Sequence, residues 1–172
     1  MLEEVMREET GRSAMNRPRG FTIIELMVTI VVLAILAAMA IPSFTDMMER
    51  QRLINATEAV YSDLQNARSE AVKRSLQIVV SIQDGCLTVA DKLVSPTVVL
   101  SNTCMTVFPA ISMSTNRSPI YFDRVRGITN PTGGGGTITL TSSTSLEARV
   151  IISGFGRVRV CSPTKVGGYP TC

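Results

Sequence analysis

Glu25 stands at the head of an apolar run that continues to Ile41 without another charge, with Thr29 as its only polar side chain. A carboxylate carried into a bilayer is costly unless it finds a partner, so Glu25 is a candidate joint. At the other end of the chain, Arg157 and Arg159 alternate with Val158 and Val160. In a strand, both guanidinium groups leave on one face about 6.6–7 Å apart. That is near the spacing of successive phosphates on an extended nucleic-acid strand, and guanidinium is well shaped to grip phosphate. Cys86, Cys104, Cys161 and Cys172 form a third set, separated by 18, 57 and 11 residues. With no C-x-x-C pair, zinc and thioredoxin-like chemistry is disfavoured, and two disulfides in any of three connectivities are expected. The absence of histidine rules out Ser-His or Cys-His catalysis and His-containing metal sites. Only Asp84, Asp91, Asp123 and Glu147 remain as carboxylates after residue 80, and no spacing among them suggests an acid–base pair. The expectation is a non-enzyme with no cofactor and no metal.

These side chains need elements to hold them. Residues 21–44 would span about 36 Å as a helix, enough for a hydrocarbon core of about 30 Å. Arg17 and Arg19 precede the run and should keep its N-terminal side in the cytoplasm. Residues 1–14 carry charges of both signs and no apolar block. They read as an overlong start, with Met15 as the initiator. From residue 45 to 75, Leu53, Ala56, Val60, Leu64, Ala67 and Ala71 recur at helical steps and form one apolar stripe.

Beyond residue 75 the period becomes strand-like. Short strands are expected over 76–82, 86–90, 96–100, 105–112, 120–122, 137–141, 146–153 and 155–161. Asp84-Gly85, Asn130-Pro131 and residues 153–156 separate some of them. Gly133 to Gly136 reads as a mobile, accessible hairpin tip with no chemistry of its own. One long helix followed by many strands predicts an α+β fold, with the amphipathic half of the helix packed on antiparallel sheet. The charge is uneven as well. From Cys86 to Cys172 there are eight basic residues against three acidic ones, so an anionic partner is plausible.

Gly20, Phe21, Thr22, Ile23, Ile24, Glu25 and Leu26, with the apolar helix behind them, resemble the class III signal of type IV pilins and type II secretion pseudopilins. The resemblance implies cleavage by prepilin peptidase between Gly20 and Phe21 and N-methylation of Phe21. It also implies that Glu25, fifth in the mature chain, pairs with the amino terminus of a neighbouring subunit during assembly. Pro42 matches a proline that loosens the helix in many pilins. The implied organisation is a leader at 1–20, a transmembrane and assembly helix at 21–44, and a head at 45–172 made of a helix (45–75) and a β domain (76–172). The implied partners are other major and minor pilins, prepilin peptidase and the inner membrane. The head would lie in the periplasm before assembly and at the cell surface in the pilus.

Residues 63–74 are similar to the helix end of the GspH/FimT subgroup. Gly156, Arg157 and Arg159 resemble the C-terminal Gly-Arg-x-Arg motif of FimT-type minor pilins, which bind DNA during natural transformation. Lys165 joins them on electrostatic grounds alone, and Arg124, Arg126 and Arg149 are weaker candidates. On the residues alone, alternating Arg and Val is more simply a solvated edge strand; the resemblance and the local basic excess move non-specific DNA contact ahead of it. The alternatives are a FimU-like structural subunit that primes the pilus and a GspH-like pseudopilin of type II secretion.

Overall fold

A computed structural model describes residues 20–91, 98–130 and 134–172, apart from the side chains of 40–43 and 130. The leader with Arg17 and Arg19, the start of the strand expected at 96–100, Pro131 and Gly133, and the Pro42 side chain lie outside the described residues. Helix α1, Ile23–Arg74, contributes to two compact units that divide between Ala40 and Ile41. Each unit is taken by itself.

In the first unit, the Thr22 hydroxyl accepts the Glu25 amide at 3.2 Å and the Thr22 carbonyl accepts Leu26 at 3.1 Å. Thr22 therefore caps α1, and Thr22-x-x-Glu25 has the spacing of a capping box. Glu25 lies in the first turn, where the helix dipole favours a negative charge. Its carboxylate has no ion pair among the described residues. Thr29 donates its hydroxyl to the Leu26 carbonyl at 2.7 Å, so the one polar side chain of the apolar run is satisfied by its own helix. An 18-residue window here reaches a mean hydropathy of 2.7, long and apolar enough to cross a membrane.

The second unit is a helix packed on two antiparallel sheets. Leu53, Ala56, Val60, Leu64, Ala67 and Ala71 are all 0–1% exposed, and the stripe forms one side of the core. Thr57 is buried beside them and donates to the Leu53 carbonyl at 2.7 Å. The helix stops where Ser75 takes a positive φ of 53° and Leu76 N–H reaches back to the Ala71 carbonyl at 3.2 Å, a left-handed C-terminal cap. Lys73 and Arg74 occupy the last turn and pair with Glu70.

One sheet contains β1 (Ile78–Gln83), β2 (Cys86–Asp91), β3 (Val99–Cys104), β5 (Ile120–Phe122) and β6 (Thr129–Asn130), in the order β3-β2-β1-β5-β6. The other contains β4 (Ile111–Thr115), β7 (Gly136–Ser142), β8 (Glu147–Ile152) and β9 (Val158–Cys161), in the order β4-β7-β8-β9. Asp84 and Gly85 both take positive φ and join β1 to β2, as a two-residue hairpin loop requires. Of the three possible cysteine pairings, the structure has Cys86–Cys104 and Cys161–Cys172. The first bond ties β2 to β3, in which the two residues are directly opposite.

Three carboxylates of α1 fasten separate parts of the β domain to the helix. Asp63 accepts from the Ser101 and Thr103 hydroxyls of β3 at 2.7 and 2.6 Å. Glu49 accepts from Ser143 and Thr144, in the turn between β7 and β8, at 2.7 Å each. These hydroxyls, Thr144 first, hold the Glu49 carboxyl below the usual carboxylate range. Glu58 accepts from the Tyr169 hydroxyl near the end of the chain. Burial first, and then the Glu58 carboxylate, push the Tyr169 phenol well above its ordinary pKa.

Several expectations are corrected. Residues 105–112 are not one strand: Met105–Val107 form a 3-10 turn and β4 begins at Ile111. The chain must leave one sheet for the other here. Met105 is buried, its amide is held by the Gly85 carbonyl, and Ala110 turns the backbone with a φ of 71°. β3 lies further along than expected, at Val99–Cys104, where Cys104 is opposite Cys86 of β2. The two-residue β6 was missed because so short a run has no readable period.

The described part of the glycine run is packed and not an open tip. A Cβ on Gly135 would lie 2.2 Å from the Ile152 carbonyl oxygen, and one on Gly136 would lie 2.7 Å from Ile120 Cδ1. These glycines let the backbone approach its neighbours closely. The last strand begins at Val158, with Gly154, Phe155 and Gly156 in the turn before it.

Candidate nucleic-acid interface

Among the described residues, β9 is an edge strand paired with β8 alone. Val158 lies opposite Ile152 and Val160 opposite Val150, and these valines face inward. Arg159 lies opposite Ile151 on the outer face and is exposed, as is Arg157 just before the strand. The turn that presents Arg157 is firmly held. Ser153 N–H donates to the Arg157 carbonyl at 2.9 Å, Gly156 N–H to the Ser153 carbonyl at 2.8 Å, and Arg157 N–H to the Ser153 hydroxyl at 3.1 Å.

Gly156 has a packing role of its own. It is buried at a φ of +75°, and a Cβ there would lie 1.9 Å from the Gly127 carbonyl oxygen and 3.3 Å from Arg68 Nε. Gly127 has a φ of +59°, and a Cβ on it would meet Arg68 Cγ at 2.9 Å and Val72 Cγ2 at 3.2 Å. The two glycines therefore bring two turns and the helix into van der Waals contact, where no side chain fits. Thr129 adds a link by donating its amide and hydroxyl to the Gly154 carbonyl at 3.2 and 3.1 Å.

The turn brought against Gly156 carries Arg124 and Arg126, both exposed. Asp123 organises it: Oδ2 accepts the Val125 and Arg126 amides at 3.1 and 3.4 Å, and its carbonyl accepts Gly127 at 2.9 Å. Two Arg-x-Arg segments that are some thirty residues apart in sequence thus sit on adjoining turns. Arg68, half-buried, packs on both glycines and has no ion pair among the described residues. Nothing in the sequence singled it out, since as a polar residue on an amphipathic helix it reads as solvated.

Lys165 and Arg149 stand differently. Lys165 is exposed, with a φ of 53°, on the loop closed by Cys161–Cys172. That loop is fastened by Ser162, which donates to the Glu147 carbonyl at 2.6 Å, and it packs on Ile54 and Glu58 of α1. Glu58 and Arg68 are ten residues apart on the helix, about 15 Å, so Lys165 lies beyond the far end of β9 from the paired turns. Arg149 is ion-paired with Glu147, and its charge is largely compensated. Among the described residues, no three His, Cys, Asp or Glu side chains come together as a metal-ligand group.

Comparison with known proteins agrees with this architecture. Residues 15–41 match the model of the prokaryotic N-terminal methylation motif, and residues 56–156 match that of the type II transport protein GspH. A fimbrial protein of Pseudomonas aeruginosa is 39% identical over 67 residues, 39% of this chain and 43% of that protein. The type II secretion system core protein G of Klebsiella pneumoniae is 33% identical over 75 residues, 39% of this chain and 54% of that protein. The chain thus spans about half, or less, of the length of these relatives. Among solved structures, the type IV minor pilin FimU of P. aeruginosa is similar at 22% identity, over 70% of this chain and 96% of that one, with a TM-score of 0.56. The minor pseudopilin EpsH of the Vibrio cholerae type 2 secretion system is similar at 14% identity, over 67% of this chain and 98% of that one, with a TM-score of 0.53. Those two likenesses concern the fold. Because the GspH model spans more than half of the sequence, behind a methylation motif and an apolar helix, this chain belongs to the GspH family.

Proposed function

We propose that this protein is a minor pilin, not an enzyme, that contacts extracellular DNA non-specifically during natural transformation. The observation that carries the reading is the Gly127–Gly156 contact. It sets the turn bearing Arg124 and Arg126 against the turn that leads into Arg157 and Arg159, and all four arginines are exposed. Asp123, in the first of these turns, accepts two backbone amides of that turn. Lys165 would extend the phosphate track beyond β9. Contacts to phosphate carry no sequence information and release counterions, so binding is weak, unspecific and salt-sensitive. A fibre that presents several subunits compensates through multivalency.

The N-terminal segment acts in the same account. Cleavage between Gly20 and Phe21 by prepilin peptidase and methylation of Phe21 prepare the subunit. The apolar helix holds it in the inner membrane, with the head in the periplasm, until it joins other major and minor pilins. The Glu25 carboxylate, at the capped start of α1 and without an ion pair among the described residues, is then neutralised by a neighbour's amino terminus. The FimU and EpsH likenesses support a second reading, a purely structural subunit of a pilus or a secretion pseudopilus.

An electrophoretic shift with the full chain in detergent tests the first reading against the second. Replacing Arg157→Glu together with Arg159→Glu should abolish the shifted band at low salt without changing the circular dichroism spectrum. A band that persists unchanged removes DNA contact from this face.

A further inference from the structure

Phe155 stands at the tip of the turn between β8 and β9 with 83% of its surface exposed. A lone exposed aromatic residue is unremarkable, but the surroundings of this one are specific. It adjoins Gly156, whose contact with Gly127 brings the Arg124–Arg126 turn alongside. Val125, in that turn, is 70% exposed. Arg157 follows two residues after the ring, and Arg68 packs against both glycines. The backbone under the ring is fixed by the Ser153–Arg157 and Gly156–Ser153 hydrogen bonds, so ordering it on binding costs little.

An exposed apolar ring on a turn that leads into Arg157 and adjoins the turn bearing Arg124 and Arg126 complements a ligand that has flat apolar faces and carries phosphate. A nucleotide in duplex DNA keeps its faces inside the stack and offers mainly its phosphates. A nucleotide in a single strand offers both. We propose that the tip formed by Phe155 and its flanking arginines prefers single-stranded DNA, with Phe155 as a stacking platform for an unpaired base. This rests on the DNA-contact reading above and adds the form of nucleic acid taken and the residue that selects it.

Fluorescence anisotropy of the full chain in detergent micelles, at one fixed low salt, tests it with a labelled oligothymidylate and a blunt duplex of equal length. Phe155→Ala should weaken oligothymidylate binding by about tenfold and change duplex binding by less than about twofold, because stacking is lost while phosphate contacts stay. Phe155→Tyr should restore the loss. The ring is outside the core, so both variants should fold. Equal weakening of both ligands, or no effect on oligothymidylate, would overturn the stacking assignment while leaving phosphate contact in place. If the unaltered chain binds neither ligand, the DNA reading falls and this inference with it.

Discussion

Gly156→Ala is the most informative perturbation, because it changes no charge. Two costs follow from the structure. The backbone sits at a φ of +75°, a left-handed conformation that costs a residue with a Cβ about 1–2 kcal/mol. The new methyl would lie 1.9 Å from the Gly127 carbonyl oxygen, and relieving such overpacking costs roughly a further 1–3 kcal/mol. The total should be about 2–5 kcal/mol, paid partly by separation of the two turns. Gly168 supplies an internal control: its φ is +72° but nothing lies within 4 Å of a built Cβ. Gly168→Ala should therefore carry the conformational cost alone, about 1–2 kcal/mol. Urea unfolding of the full chain in detergent, followed by circular dichroism, measures both. Duplex affinity and its salt slope should also fall for Gly156→Ala, because separated turns no longer engage adjacent phosphates together. If Gly156→Ala costs no more than Gly168→Ala, the packing role assigned to Gly156 is wrong.

Tyr169 gives a pH test. Its phenol is raised above the ordinary value of about 10, so the unfolded chain ionises first. The associated stability is fully present below about pH 10 and declines as the pH rises above it. Tyr169→Phe should flatten that alkaline decline while costing roughly 1 kcal/mol at neutral pH for the lost bond to Glu58; an unchanged alkaline limb would count against the interaction. Replacing Cys161 and Cys172 with serine should lower stability by about 3 kcal/mol, from the entropy of an 11-residue closure. It should also release the loop bearing Lys165. A loss well under about 1 kcal/mol would mean that Ser162 and Tyr169 hold the loop unaided.

Local patterns were legible because their physics is local. The stripe from Leu53 to Ala71 repeats at the helical period, so it could be read without knowing what it packs on. Charge-free residues 26–41 announce an apolar environment by composition alone. Strand alternation placed Val158 and Val160 inward and Arg159 outward. Boundaries were less legible where the chain changes sheets: Met105 reads as a strand residue until the Gly85 carbonyl and the reversal at Ala110 claim it. The glycines at 135 and 136 looked like freedom, whereas Ile152 and Ile120 leave them no space.

The long apolar helix, the α+β class and the outward-facing Arg159 of the edge strand therefore follow from the order of residues. Contacts between residues far apart in the chain do not. No spacing rule connects Gly127 with Gly156, or either with Arg68, because their proximity depends on how β5 and β6 lie beside the turn that leads into β9. That packing brings the turns of two dispersed Arg-x-Arg segments side by side and leaves Lys165 beyond the other end of β9. Long-range steric fit, not periodicity, sets which charges can act together.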